Sequence, residues 1–204
     1  VKKESRKDQI LLKAVELFGS RGFDSVTIRQ LADQCGISEP ALYRYFRSKD
    51  DIYDGVLDSI RSHVDVDAAF ENIAGATDVE RILRAVAEHV ISHADRDDAL
   101  HRLLLFSALQ GHQKARQVYQ NIRGTYVRYL KARLDELHER GLIVEKNNEI
   151  TARCFVGMVF DCVLSRTLWK NMYGERLTLS QVIDNNVPIF VKGLSTAGMG
   201  EKAV

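Results

Sequence analysis

A chain of 204 residues with 45% apolar side chains can bury one large core or two small ones, and only two prolines and 8% aromatics favour an all-helical protein. The net charge of +1 would argue against a nucleic-acid partner, yet residues 1–50 hold ten Lys or Arg against seven Asp or Glu, while the remainder holds 19 against 21. No apolar run is long enough for a helical membrane span, and the basic start leads into an amphipathic helix rather than a signal-peptide apolar core, so the sequence predicts a cytoplasmic protein.

The first predicted helix runs from about Ser5 to Arg21 and carries Ile10, Leu11, Ala14, Val15, Leu17 and Phe18 at helical spacing before Gly22 ends it. Thr27 to Lys49, TIRQLADQCGISEPALYRYFRSK, then reads as two short helices around a tight turn. Thr27 is a cap with Gln30 three residues on, and Ile28, Leu31, Ala32 and Cys35 form the buried stripe of the first of them. Gly36 stands where a chain leaving a helix needs positive φ, and Ile37 re-enters the core.

Ser38 caps the second short helix, with Glu39 in its first turn, where a negative charge suits the helix dipole, and Pro40 before intrahelical donors are needed. Leu42 and Phe46 share the inward face, which leaves Glu39, Pro40, Ala41, Tyr43, Arg44 and Tyr45 largely outside. Tyrosine hydroxyls and arginine forks make a poor solvated face and a good DNA-facing one. A third start at Ser48 to Asp51 opens another helix at once, and its free backbone donors with Lys49 form a site for a backbone phosphate.

The segment from Ile10 to about Leu57 resembles the DNA-binding domain of the tetracycline-repressor (TetR) family of transcriptional regulators. The resemblance rests on AVELFGSRGFDSVTI, IRQLADQCGIS and ALYRYFRSKDDIY, and it covers roughly the first quarter of the chain. It implies a helix-turn-helix domain over residues 1–50 and a helical ligand-binding and dimerisation domain over 51–204. DNA-binding residues are expected at Thr27, Arg29, Ser38, Glu39, Pro40, Ala41, Tyr43, Arg44, Tyr45 and Lys49. Of these, Thr27, Tyr43 and Lys49 are read as phosphate contacts. Arg29, at a position that reads a base in some family members, is assigned with Glu39, Pro40, Ala41 and Arg44 to base edges. Arg44 and Glu39 depart from the commonest residues at their positions, so no operator sequence carries over.

Beyond the domain a fourth helix is predicted from Lys49 to about Ile73, then helices near 78–95, 98–111, 115–140, 149–173 and 180–196. In the penultimate helix Phe155, Val156, Met158, Val159, Phe160, Val163, Leu164 and Leu168 spread nearly all round the circumference, so it must be buried on more than one side. With the last helix it is read as a dimerisation pair, which is also where TetR-like proteins form a four-helix interface. Pro188 should kink or interrupt the last helix. As the resemblance implies, helices from about 78 to 173 would enclose a small-molecule cavity, with Leu103, Phe106, Leu109, Tyr126, Phe155, Met158 and Asp161 as candidate lining.

The remaining chemistry is sparse. His89 and His93 stand four apart, with His101 and His112 beyond, but no companion carboxylate is placed for a metal, and surface or structural histidines are the expectation. Asp161 and Arg166 point into a ligand cavity, pair across a dimer interface, or face solvent; Trp169 and Tyr173 belong to core, interface or ligand box. Cys35, Cys154 and Cys162 are odd in number and lack zinc spacing, and read as buried small hydrophobes. There is no Gly-rich phosphate loop, nucleophile elbow or acid–base pair, so no enzyme, catalytic residue, metal or cofactor is expected. The expected function is a dimeric regulator, a repressor released from a palindromic DNA operator by a small, mainly apolar effector. A helical enzyme and a nucleoid-type DNA binder are the competing classes.

Overall fold

The computed structural model describes residues 5–61, 66–96, 98–167 and 178–196, and every regular element among them is helical. In chain order these are α1 (Arg6–Arg21), α2 (Ile28–Gln34), α3 (Glu39–Tyr43), α4 (Lys49–Arg61), α5 (Val66–Ala69), α6 (Val79–Arg96), α7 (Asp98–Leu109), α8 (Gln113–Glu139), α9 (Asn148–Thr167) and α10 (Leu179–Leu194), with a 3₁₀ turn at Glu71–Ile73. The side chain of Arg166, together with Leu168, Trp169, Tyr173 and the expected continuation of the penultimate helix to 173, lies outside the described residues.

The chain forms two compact units, residues 1–64 with 97–122 and residues 65–96 with 123–204. In the first unit α1 to α4 and α7 share one core, in which Ile10, Phe18, Leu31, Leu42, Ile52, Leu57 and Leu103 are fully or almost fully buried. The start of α1 is held by a capping box, with Ser5 Oγ accepting from the Asp8 amide and the Asp8 carboxylate accepting from the Ser5 amide. Its end is set by Gly22 at φ +80°. Gly19 lets α1 lie against α7: a Cβ there would stand 2.3 Å from the carbonyl oxygen of Ala99. A ring cluster of Phe18, Phe23, Tyr53 and His112 joins α1, α4 and the turn after α7.

In the second unit α6 packs against α9 and α10. Arg84 fixes one of these contacts, donating to Asp184 on α10 at 2.7 Å and to Glu80 at 2.8 Å. The buried guanidinium of Arg133 on α8 donates to the carbonyl of Ala76 at 2.6 Å and pairs with Glu136. Asn148, also buried, donates to Asp135 at 2.8 Å, tying the start of α9 to α8.

One expectation is corrected, and one of two alternatives at Pro188 is removed. The fourth helix does not run to Ile73: α4 is described to Arg61, and residues 66–73 form the short α5 and the 3₁₀ turn. Val56, Leu57 and Ile60 belong to the first core, whereas Val66, Phe70 and Ile73 are buried in the second unit, and Gly75 and Thr77, which follow, are weak helix formers. Pro188 does not interrupt α10, which continues from Leu179 to Leu194. Pro188 and Asp184 are both exposed, so water can serve the carbonyl that proline leaves without a donor.

Candidate nucleic-acid interface

The reading unit is built by three successive caps. Thr27 Oγ1 accepts from the Gln30 amide at 3.2 Å while the Gln30 side chain accepts from the Thr27 amide at 2.9 Å. This box starts α2 and leaves the Thr27 hydroxyl hydrogen facing solvent as a donor. At the other end Gly36 has φ +64°, and two bonds, Ile37 N to Ala32 O and Gly36 N to Asp33 O, both 3.0 Å, close the helix in a Schellman motif. Ser38 Oγ then accepts from Ala41 N at 3.3 Å to start α3. Ser48 Oγ accepts from Asp51 N at 3.1 Å, and the Asp51 carboxylate accepts from Arg47 N at 2.8 Å, to start α4.

Leu42 and Phe46 are almost completely buried and fix the rotation of α3 about its own axis. That rotation exposes Ser38, Glu39, Pro40, Tyr43, Arg44 and Tyr45 and leaves Ala41 half-buried. Thr27 and Arg29 on α2 are exposed as well. The structure therefore gathers nine of the ten expected DNA-facing residues on the α2–turn–α3 segment. The Arg29 and Arg44 guanidiniums form no ion pair or hydrogen bond with any described residue, so both are available to a partner.

Lys49 is different. Its ammonium donates to the carbonyl oxygens of Phe23 at 2.9 Å, Val26 at 3.0 Å and Asp24 at 3.4 Å, and lies 4.3 Å from the centroid of the Phe23 ring. All three ammonium donors are engaged, which does not support the expected phosphate role. Lys49 instead neutralises the carbonyls of the α1–α2 loop. Arg47, exposed between α3 and α4, is a basic residue that the sequence reading passed over; its signal was its place beside the third cap.

The expected ligand-lining residues divide between the two units. Leu103 is fully buried in the core of the first unit, and Phe106 and Leu109, also of that unit, are 45% and 81% exposed because α7 turns its other face to α1. Tyr126 and Phe155 are buried in the second unit, Met158 is half-buried there, and Asp161 is exposed. His89 Nδ1 lies 2.9 Å from the Tyr126 hydroxyl, and its ring is tilted against that of His93, with centroids 4.6 Å apart. Burial pushes the Tyr126 phenol far up, so it stays protonated. Among the described residues no group of three or more His, Cys, Asp or Glu could hold a metal. Cys35 and Cys162 are half-buried, and burial raises both thiols. Cys154, expected inside, is exposed.

A capped α2, a glycine turn and a short α3 anchored by two buried residues define a helix-turn-helix protein. Residues 10–56 match the family of bacterial regulatory proteins described as tetR, and this segment belongs to the TetR family. It is 33% identical over 104 residues to the HTH-type transcriptional activator FasR of Mycolicibacterium smegmatis, a match covering 50% of this chain and 46% of that relative. The chain thus spans about half the length of that curated relative. The fold extends further: a TetR-family regulator from Mesorhizobium loti superposes with a TM-score of 0.70 at 19% identity, over 94% of this chain and 97% of that one. AibR in complex with isovaleryl coenzyme A and operator DNA superposes with a TM-score of 0.68 at 20% identity, over 91% and 97%. Among the described residues no helix is long and apolar enough to cross a membrane.

Proposed function

We propose that the chain is a homodimeric, sequence-specific transcriptional regulator that sets two copies of α3 into successive major grooves of a palindromic operator. The observation that carries this is the exposed Tyr43–Arg44–Tyr45 run, held outward by buried Leu42 and Phe46 on a triply capped frame. In this reading residues 1–50 contact DNA and residues 51–204 serve ligand binding and dimerisation, the latter through α9 and α10. Thr27 and Tyr43 hold phosphates, Arg47 takes the place given to Lys49, and Arg29, Glu39, Pro40, Ala41 and Arg44 meet base edges.

A small, mainly apolar effector acts on the second unit, where Tyr126, Phe155 and Met158 are the candidate contacts, and releases the protein from its operator. It works by binding the released state better than the bound one. AibR, whose complex holds both isovaleryl coenzyme A and operator DNA, supports an effector-responsive reading. FasR is named an activator, so repression is tested by the sign of the transcriptional response.

Selection from random oligonucleotides tests the whole reading: recovery of a palindrome is the expected result, and binding no better than to bulk DNA would make the chain a nucleoid-type binder. Turnover of a substrate without DNA binding would instead favour an enzyme. On the selected site, Arg29→Ala should cost about 1–3 kcal/mol and relax preference at one base pair per half-site. Equal loss on every sequence would make Arg29 a phosphate contact.

A further inference from the structure

The exposed face of α9 carries Ile150, Cys154, Gly157, Asp161 and Leu164, spaced four, three, four and three residues apart, the seam spacing of a helix that packs on another helix. The described chain does not bury it: Ile150 is 58% exposed, Cys154 and Asp161 are exposed, and Gly157 and Leu164 are half-buried. Asp161 is the one charged residue in these five positions. Its carboxylate makes no ion pair or hydrogen bond with a described residue, whereas the neighbouring charges at Glu149 and Arg153 pair with each other at 2.8 Å.

A second unpaired charge lies on the same seam. Arg123 of α8 is half-buried and places its guanidinium over Gly157, where a Cβ would stand 2.9 Å from Nη2. Glycine at 157 is what admits it. Arg123 also makes no ion pair or hydrogen bond with a described residue, although Asp161 stands only one turn along α9 from the glycine it covers. A lone acid and a lone base one turn apart on an uncovered seam are complementary to the same seam rotated by a two-fold axis, since in such an interface each residue meets the other's counterpart.

We infer that Asp161 pairs with the Arg123 of a second copy of this chain, and that the two symmetric ion pairs lock the register of α9 against its partner. A polar position in an apolar seam characteristically sets register and partner choice. Two Asp161 carboxylates facing each other would repel, so the pairing selects one register over its alternatives. The pairing rests on the homodimer proposed above.

Sedimentation equilibrium of the full chain tests it by charge exchange, with thermal melts of each variant to verify folding. Asp161→Arg and Arg123→Glu should each raise the dimer dissociation constant at least about tenfold, because each sets like charges together. The double variant, with the charges exchanged, should recover most of that loss. Asp161→Asn, which leaves α9 uncharged at this exposed position, should weaken the dimer less than Asp161→Arg. A dimer unaffected by Asp161→Arg, or a double variant no better than the worse single one, would overturn the pairing while leaving the dimer intact. A wild-type chain that stays monomeric at all concentrations would overturn the dimer and the pairing together.

Discussion

Lys49 illustrates how a basic residue beside a DNA-reading helix can serve the fold. A cation three carbonyls deep, over an aromatic ring, is held in place before any DNA arrives. Lys49→Ala should therefore lower stability by about 1–3 kcal/mol, the range for a charged donor whose acceptors lose their partner. It should leave the slope of log affinity against log salt unchanged, whereas loss of a true phosphate contact flattens that slope by roughly one unit. Thermal melts and a salt titration of DNA binding measure the two effects separately, and a flattened slope in a stable variant would return Lys49 to the interface. The type and position of Lys49 were legible in the sequence, but its direction was not: the carbonyls it meets lie 23 to 26 residues earlier and converge only when α1, α2 and α4 pack.

At the scale of elements, short-range signals were readable and long-range packing was not. The capping boxes, Gly36 and the Leu42–Phe46 pair are local chemistry, so the reading unit emerged from the sequence nearly residue by residue. The partner of α7 did not, because its apolar residues fit either a ligand cavity or the core against α1, and periodicity cannot choose. Gly19 decides it, through an approach to Ala99 that admits no side chain. Gly19→Ala should destabilise the chain by about 1–3 kcal/mol, the usual cost of overpacking, although alanine favours helices. Chemical denaturation measures this, and a stabilised variant would mean that α7 can move away at little cost.

The α6–α10 contact has its own signature in pH. The hydrogen bond from Arg84, and then that from Ser180, hold the Asp184 carboxyl below the usual carboxylate range. A lowered folded value means that the unfolded chain takes up the proton first as pH falls. The contribution is thus complete above the ordinary carboxylate value of about 4 and is lost as pH drops through the folded value. Asp184→Asn should lose stability at neutral pH and show a shallower decline into acid than the wild type. Parallel acid limbs for the two proteins would show that the Arg84–Asp184 pair does not couple to folding.

For the whole molecule, a single reading head is a weak discriminator. α3 is five residues long and presents few groups able to reach base edges, so one head can fix only a handful of base pairs. Two heads joined in a dimer turn the second contact into an intramolecular event, and the gain depends on both half-sites being reachable together. Half-sites on the same side of the duplex recur at about 34–36 Å, one helical turn. Inserting five base pairs between the half-sites of the selected operator moves one of them to the opposite face. Affinity should then fall towards that of a single half-site, and ten inserted base pairs should restore facing while lengthening the span. Electrophoretic titration of the three operators measures the phase dependence directly. Equal affinity at every spacing would mean that the heads bind independently of each other.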